Sequence, residues 1–276
     1  ERMLEIAPHS PAAGVGWLPA YPALWSSSVG AEGNQRIATS VLLALGGCAA
    51  LWACSRSSGW LRGGGWVVAA SSAWAGLAVQ DRRSGMLLLP VLLLVWALAR
   101  CRTARLRLGA ALAIVVAAVL TWQAADGVRA RLLEGVAELR AYRGDDHVST
   151  SWGQRLRMWE RTAQMAAERP WTGHGLASWQ LRWTERVTPG TPLAAHSTPH
   201  NDYLLLAQSA GVFAAILWLY WLGSAGRAAW RAGGAGVPAL LACTALGWTG
   251  LFNAALRDAK FSLPLLLLLG LALAIA

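Results

Sequence analysis

The feature that most constrains this chain is a succession of apolar runs, each close to the ~18–20 residues that cross the hydrocarbon of a bilayer as an α-helix. They fall at roughly 37–54, 64–80, 86–99, 107–125, 203–222, 236–252 and 261–276 and hold almost no charge, although Pro90 interrupts the third. The expected fold is therefore all-α, a polytopic transmembrane helical bundle. Composition agrees, since 55% of the 276 residues are hydrophobic and only 14% are charged, a balance too apolar for an ordinary soluble domain. Seventeen Trp stand against four Tyr and three Phe, which suits anchoring at the membrane interface, where an indole buries its ring and keeps its N–H wet.

One large polar stretch, 126–200, separates the fourth run from the fifth and carries ten Arg, eight acidic residues and Pro170, Pro189, Pro192 and Pro199. The chain divides accordingly into an N-terminal outer-face segment at 1–36, a four-span unit at 37–125, a large loop with an amphipathic helix at 126–200, and a three-span unit at 201–276. Because it begins at Glu1 without an initiator Met or signal peptide, it reads as a piece of a longer protein with earlier spans missing. Alternating spans put the short loops 55–63, 100–107 and 223–235 on one side, and these carry eight Arg, from Arg56 to Arg231, and no acid. That bias marks the cytoplasmic side. The turn 81–85, the large loop and the turn 253–260 then share the outer face.

The formal charge of +10 raises nucleic acid as a partner, but the basic residues, all Arg except Lys260, are scattered instead of forming one block with stacking aromatics. No nucleic-acid partner is expected. Cys48, Cys54, Cys101 and Cys243 lie in or beside apolar runs without a CxxC or a nearby His, so they read as small buried residues. Asp145, Asp146 and His147 lack partner carboxylates at a regular spacing and read as a flexible, solvated turn, not a metal site. RPWTGHGLASW has a GxG but neither the preceding strand nor the Lys of a P-loop, and reads as a turn. No metal and no cofactor are expected.

The candidates for chemistry are the outer-face groups that orientation does not require. STSWGQRLRMWERTAQMAAERPW reads as a helix with Ser151 as N-cap, Gln154 at capping-box spacing, an end before Pro170, and one apolar face of Leu156, Trp159, Ala163 and Ala166. Arg155 falls in its first turns, where free amides and the helix dipole favour an anion. Arg157, a further candidate substrate contact, sits about 200° around the helix, so the two cannot readily face one ligand. In TPHNDYLLL, Thr198 fits an N-cap and Pro199 the N1 position, which puts His200, Asn201 and Asp202 in the first turn of a span. A helix N-terminus disfavours imidazolium and keeps His200 neutral, able to accept a proton. The plainer reading is that these residues only satisfy free helix N–H groups. Arg82 and Arg83, at a span boundary, either snorkel to headgroups or bind an anionic ligand. Arginines and a neutral His on one face are what transfer from a diphosphate requires.

Three segments in order, DRRSGMLLLP, SWGQRLRMWERTAQMAAERPWTGHGLASW and PHNDYLLLAQSAGVF, resemble the O-antigen ligase and polymerase superfamily, and the resemblance runs over roughly 80–276, including the LFNAALRDAK turn. It implies a helical membrane fold similar to other lipid-linked glycosyltransferases of the GT-C-like kind, with a large helical periplasmic loop. It also implies glycan transfer at the periplasmic face of the inner membrane from an undecaprenyl diphosphate-linked donor, with inversion and without metal or nucleotide. Carried over by motif, the catalytic positions are Arg83, Arg155 and His200, with Arg82, Asn201 and Arg157 as substrate-binding candidates. The acceptor is a lipid A-core sugar in a ligase, another lipid-linked glycan in a polymerase, or a protein hydroxyl in an oligosaccharyltransferase; the short tail after the last span favours the ligase. A transporter or a lipid-binding scaffold is the alternative from another class, but a transporter more naturally places ionisable groups at mid-span.

Overall fold

The computed structural model describes residues 28–75 and 83–275. Helices α1 (Ser28–Cys54) and α2 (Gly59–Trp74) form a hairpin, α3 (Arg83–Arg100) packs on α1, and α4 (Ala104–Ala124) lies beside α3. Only Ala125 separates α4 from α5 (Asp126–Ala141), after which come α6 (Ser151–Glu168), the short α7 (Trp179–Thr184) and a 3-10 turn (Pro192–Ala195). The chain closes with α8 (Asp202–Ala210), α9 (Val212–Arg231), α10 (Val237–Phe252) and α11 (Ala259–Ile275). Among the described residues there is no strand, as expected of an all-α bundle.

The bundle is organised around α10. Nine of its residues are buried, among them Ala239, Ala242, Ala245 and Gly250, whose small side chains let α1, α3, α9 and α11 approach closely. Each neighbour meets it with a stripe at helical spacing: Val41, Leu45 and Cys48 from α1, Leu88 and Leu92 from α3, Ala225 and Ala229 from α9, Leu265, Leu269 and Ala272 from α11. By contrast α4 buries nothing and turns Leu108, Leu112, Val115, Val119 and Leu120 outward. An apolar surface of that extent on a helix is stable in lipid and not in water.

Among the described residues, four helices are long and apolar enough to cross a membrane: Ile37–Cys54, Arg83–Arg100, Ala104–Ala124 and Val212–Arg231. The apolar α10 and α11 are shorter, and of the run expected at 64–80 the residues up to 75 are described, within and just past α2. One expected span is corrected. The run 203–222 is not one helix but is broken at Gly211, whose φ of 87° no continuing helix can hold. The span instead starts at Val212, whose amide donates to Pro170 O at 2.7 Å, and runs 20 residues, about 30 Å. Arg227 and Arg231, expected in a loop, thereby ride on the last turns of α9.

The polar segment has its own core. Met158 and Met165 of α6 pack with Trp179, Trp183 and Leu193, and the two indoles stack at 5.1 Å between centroids. Trp179 Nε1 donates to Thr162 Oγ1 at 2.9 Å and Trp183 Nε1 to Leu193 O at 3.0 Å, so both rings are fully buried with their N–H groups satisfied. These two indoles are core, not interfacial anchors. The buried stripe of α6 is Met158, Thr162 and Met165 instead of the expected Leu156, Trp159, Ala163 and Ala166, because α6 packs against α8 and the tryptophans. The large loop also holds α5, a helix that was not singled out in the sequence; its buried residues Val128, Gly135 and Glu138 recur at i, i+7 and i+10.

Candidate active site

The loop before α8 is held from both sides. Trp159 Nε1 of α6 donates to Pro199 O at 3.0 Å. Asn201 Oδ1 accepts from Leu204 N at 2.9 Å while its Nδ2 donates to Leu251 O at 3.0 Å. The buried Asp202 carboxylate accepts from Leu256 N at 3.1 Å. Asn201 is thus the N-cap of α8, not Thr198, and His200 precedes the helix instead of sitting in its first turn. Between these anchors His200 has a φ of 50°, a left-handed conformation that disfavours any side chain with a Cβ. The bonds on either side over-determine it, a pattern found where backbone strain serves a site.

Arg155 reaches this loop from α6. The N-cap of α6 is Thr150, whose Oγ1 accepts from Gly153 N at 3.3 Å; it is one residue before the expected Ser151. Ser151 Oγ instead accepts from Arg155 Nη1 at 2.8 Å, and the guanidinium lies 5.8 Å over the Trp152 ring. Trp152 packs edge-on against Phe252 at 5.7 Å, which joins the end of α10 to the start of α6. Gln154 Nε2 points at Val148 O and Ser149 O, so its Oε1 faces His196 Nε2 at 3.1 Å. His196 therefore carries its proton on Nε2, leaving Nδ1 as an acceptor. Its ring stands edge-on to His200 with centroids 5.4 Å apart.

Both imidazoles are neutral in this setting. Burial, with the Arg155 charge and the neighbouring His196 added to it, pushes His200 down to about 3. Burial and Arg155 likewise lower His196. The neutrality expected from a helix dipole is reached by a different cause.

Arg83, the first residue of α3, is nearly buried, its side chain 11% exposed. Its Nη2 donates to Glu138 Oε1 at 2.5 Å and lies 3.0 Å from Glu134, while Nε donates to Arg131 O at 3.0 Å. The other oxygen of Glu138 accepts from Trp152 N at 2.7 Å. Burial pulls the Glu138 carboxyl up, but Arg83 and the Trp152 amide outweigh it and hold it below the usual range. The anion at the start of α6 is thus a protein carboxylate. Gly135 separates Arg83 from Trp152: a Cβ there would come within 3.2 Å of Trp152 Nε1 and 3.4 Å of Arg83 Cζ. His196 and His200 are brought together directly, the Arg155 charge acts on both, and Arg83 is tied to the start of the Arg155 helix through Glu138 and the Trp152 amide.

The other expected contacts fall elsewhere. Arg157 points away, its Nε on Asp146 at 2.6 Å and its Nη1 on Glu160 at 3.0 Å. Asp146 also accepts from Arg161 and Thr188, so it is no flexible, solvated turn but a clasp between 145–147 and α6. Arg82 lies outside the described residues. Sequence reasoning missed Glu138, Gln154 as a His partner, and His196. Glu134 and Glu138, four residues apart, were the available signal for a counter-charge to Arg83.

The turn after α6 fixes the corner. His174 N donates to Gln208 O at 2.8 Å and Gly175 N to Ser209 O at 2.9 Å. Gly173, at φ 64°, lies so close that a Cβ would be 2.4 Å from Ser209 C. The Pro170, Gly173 and Gly175 pattern therefore cradles the break between α8 and α9.

No curated protein matches the chain. The model of the O-antigen ligase family matches residues 66–219, more than half of the 276 residues, and the match holds Arg83, Glu138, Arg155, His196 and His200. With its apolar helical bundle, this chain is a membrane protein and belongs to the O-antigen ligase family.

Proposed function

We propose that the protein transfers a glycan from an undecaprenyl diphosphate-linked donor to a hydroxyl of lipid A-core at the periplasmic face of the inner membrane, as an inverting, metal-independent glycosyltransferase. The observation that carries this reading is the edge-on pairing of His196 and His200, 5.4 Å apart, on a strained, tightly braced loop, with the Arg155 charge acting on both rings. In this reading Arg155 meets the diphosphate with a fork that matches its oxygens. The acceptor oxygen forms a bond to the anomeric carbon as the bond from that carbon to the diphosphate breaks. The hydroxyl proton passes to a ring nitrogen of His200, and undecaprenyl diphosphate leaves with the electron pair, its charge offset by Arg155 and by Arg83 once the diphosphate competes with Glu138.

A base pushed down to about 3 is weak by itself. A bound diphosphate offsets the Arg155 charge and so removes one cause of that depression. Donor binding thereby strengthens His200 when it is needed. Arg82 is an additional contact to the diphosphate in this reading. Asn201 braces the loop, and Arg157 fixes α6 through Asp146.

The test supplies the protein in lipid nanodiscs with the lipid-diphosphate glycan and each acceptor in turn. Transfer to lipid A-core is expected, with loss of about 100-fold or more in His200→Ala and Arg155→Ala. Full transfer by either variant at normal membrane levels overturns the roles, and chain extension alone makes the protein a polymerase.

A further inference from the structure

We propose that Asn253 is a glycan-binding residue of this same site, engaging with its amide a sugar substituent that both donates and accepts a hydrogen bond. Asn253 lies in the turn after α10, outside the segment matched by the family. It is 2% exposed, and among the described residues neither Nδ2 nor Oδ1 has a hydrogen-bond partner. Asn201, similarly buried, uses both ends of its amide. A buried amide left wholly unpaired weakens a fold, and an apolar side chain of the same size would serve packing better. A group kept against stability in this way points to a ligand.

Its place in the fold names the site. The strap 251–256 is tied at one end by Asn201 Nδ2 to Leu251 O, and at the other by Asp202 to Leu256 N. These are the two residues that follow His200. Phe252, next to Asn253, packs on Trp152, over which Arg155 lies. Arg257 then donates to Ser197 O, closing the strap over the His196–His200 loop. Asn253 thus sits at the middle of a strap fastened to the residues beside His200.

The chemistry of the amide selects the ligand class. A diphosphate oxygen only accepts, and would leave Oδ1 facing negative charge. A pair of ring hydroxyls or an acetamido group both donates and accepts, which matches Nδ2–H and Oδ1 together. The ligand is therefore the glycan portion of donor or acceptor, not the phosphate.

This inference rests on the proposed transfer reaction, and the test separates the two. Asn253→Leu and wild type in nanodiscs are melted without substrate, melted with the free glycan released from lipid and diphosphate, and assayed for transfer against donor and acceptor in turn. Asn253→Leu is expected to melt at or above the wild-type temperature, to lose the stabilisation by free glycan seen in wild type, and to raise KM about ten-fold for one glycan only. That glycan, donor or acceptor, is the one Asn253 holds. A lower melting temperature with unchanged KM makes the amide a structural group bonded to water and overturns the inference while leaving the transfer reaction intact. Wild type that transfers to no acceptor overturns the reaction; Asn253 is then judged by the glycan-dependent melt, where equal stabilisation of variant and wild type sinks it.

Discussion

Glu138 holds Arg83 through one carboxylate oxygen at 2.5 Å, and with the other it takes the Trp152 amide at 2.7 Å. One buried acid thus ties the start of a candidate span to the start of the helix that carries Arg155. Removing either partner weakens the knot: Glu138→Ala leaves the nearly buried guanidinium with only Glu134 and Arg131 O, and leaves the Trp152 amide without its acceptor. Each single variant, Glu138→Ala and Arg83→Ala, is expected to lose about 2–3 kcal/mol, and the double variant less than their sum by about 1 kcal/mol or more. Thermal or denaturant unfolding in one detergent checks this, and strict additivity would show that the pair is not coupled.

The pH dependence of stability follows from the half-buried His200 and the buried Asp202, which act with opposite sign. His200 falls from 6.5 to about 3 on folding, so its contribution is complete above 6.5 and is lost as pH drops below it. Asp202 rises from 3.8 to about 7, chiefly by burial, with the Leu256 and Ala255 amides opposing, so its contribution is complete below 3.8 and is lost as pH climbs toward 7. Each slope reaches at most ~1.4 kcal/mol per pH unit, and between about pH 4 and 6.5 they offset one another. Relative to wild type, Asp202→Asn is expected to gain melting temperature as pH rises through that window, and His200→Gln to lose it. Parallel curves for all three proteins would contradict the assignment.

The glycine at the broken span is a steric requirement. At Gly211, φ is 87° and a Cβ would lie 2.2 Å from Trp171 O, a backbone atom with no freedom to move. Gly211→Ala is expected to cost more than about 2 kcal/mol and to abolish transfer with the cradle. Gly226, within α9 and with nothing near its would-be Cβ, is the control. Gly226→Ala is expected to be neutral or to stabilise by up to about 1 kcal/mol. Equal effects of the two, read by thermal melting, would remove the steric explanation.

Most spans were legible because lipid-length apolar runs are a local property, and α6 was legible from its start and stop signals, whereas its buried face and the break at Gly211 depend on what packs against them. Where each helix begins was less so. Thr150 and Ser151 both suit an N-cap, as do Thr198 and Asn201, and local chemistry does not rank them. The choice of Asn201 is made by Leu251, fifty residues away, which accepts its Nδ2. The same distance hides partners: Glu138 is 55 residues from Arg83, and His196 is 42 from Gln154. The motif carriers Arg155 and His200 could be named from sequence, whereas the groups that set their charge and orientation arrive through tertiary packing.

Gln154 offers a way to test the neutrality of the imidazole pair without touching Arg155 or His200. Its Oε1 accepts from His196 Nε2–H, and its Nε2 is directed at Val148 O and Ser149 O. Gln154→Glu keeps the shape but puts a negative charge on the His196 proton. An opposite charge in a half-buried site raises the His196 pKa, working against the burial and the Arg155 charge that now lower it. Imidazolium then forms at His196, 5.4 Å from His200, and like charges disfavour each other, so His200 becomes a weaker base. The acid limb of the transfer rate is therefore expected to move up by about one pH unit, with a several-fold loss near pH 5.5 and a change below about two-fold at pH 8. A uniform loss at every pH would mean that Gln154 only supports the fold, and an unchanged profile would separate His196 from the reaction.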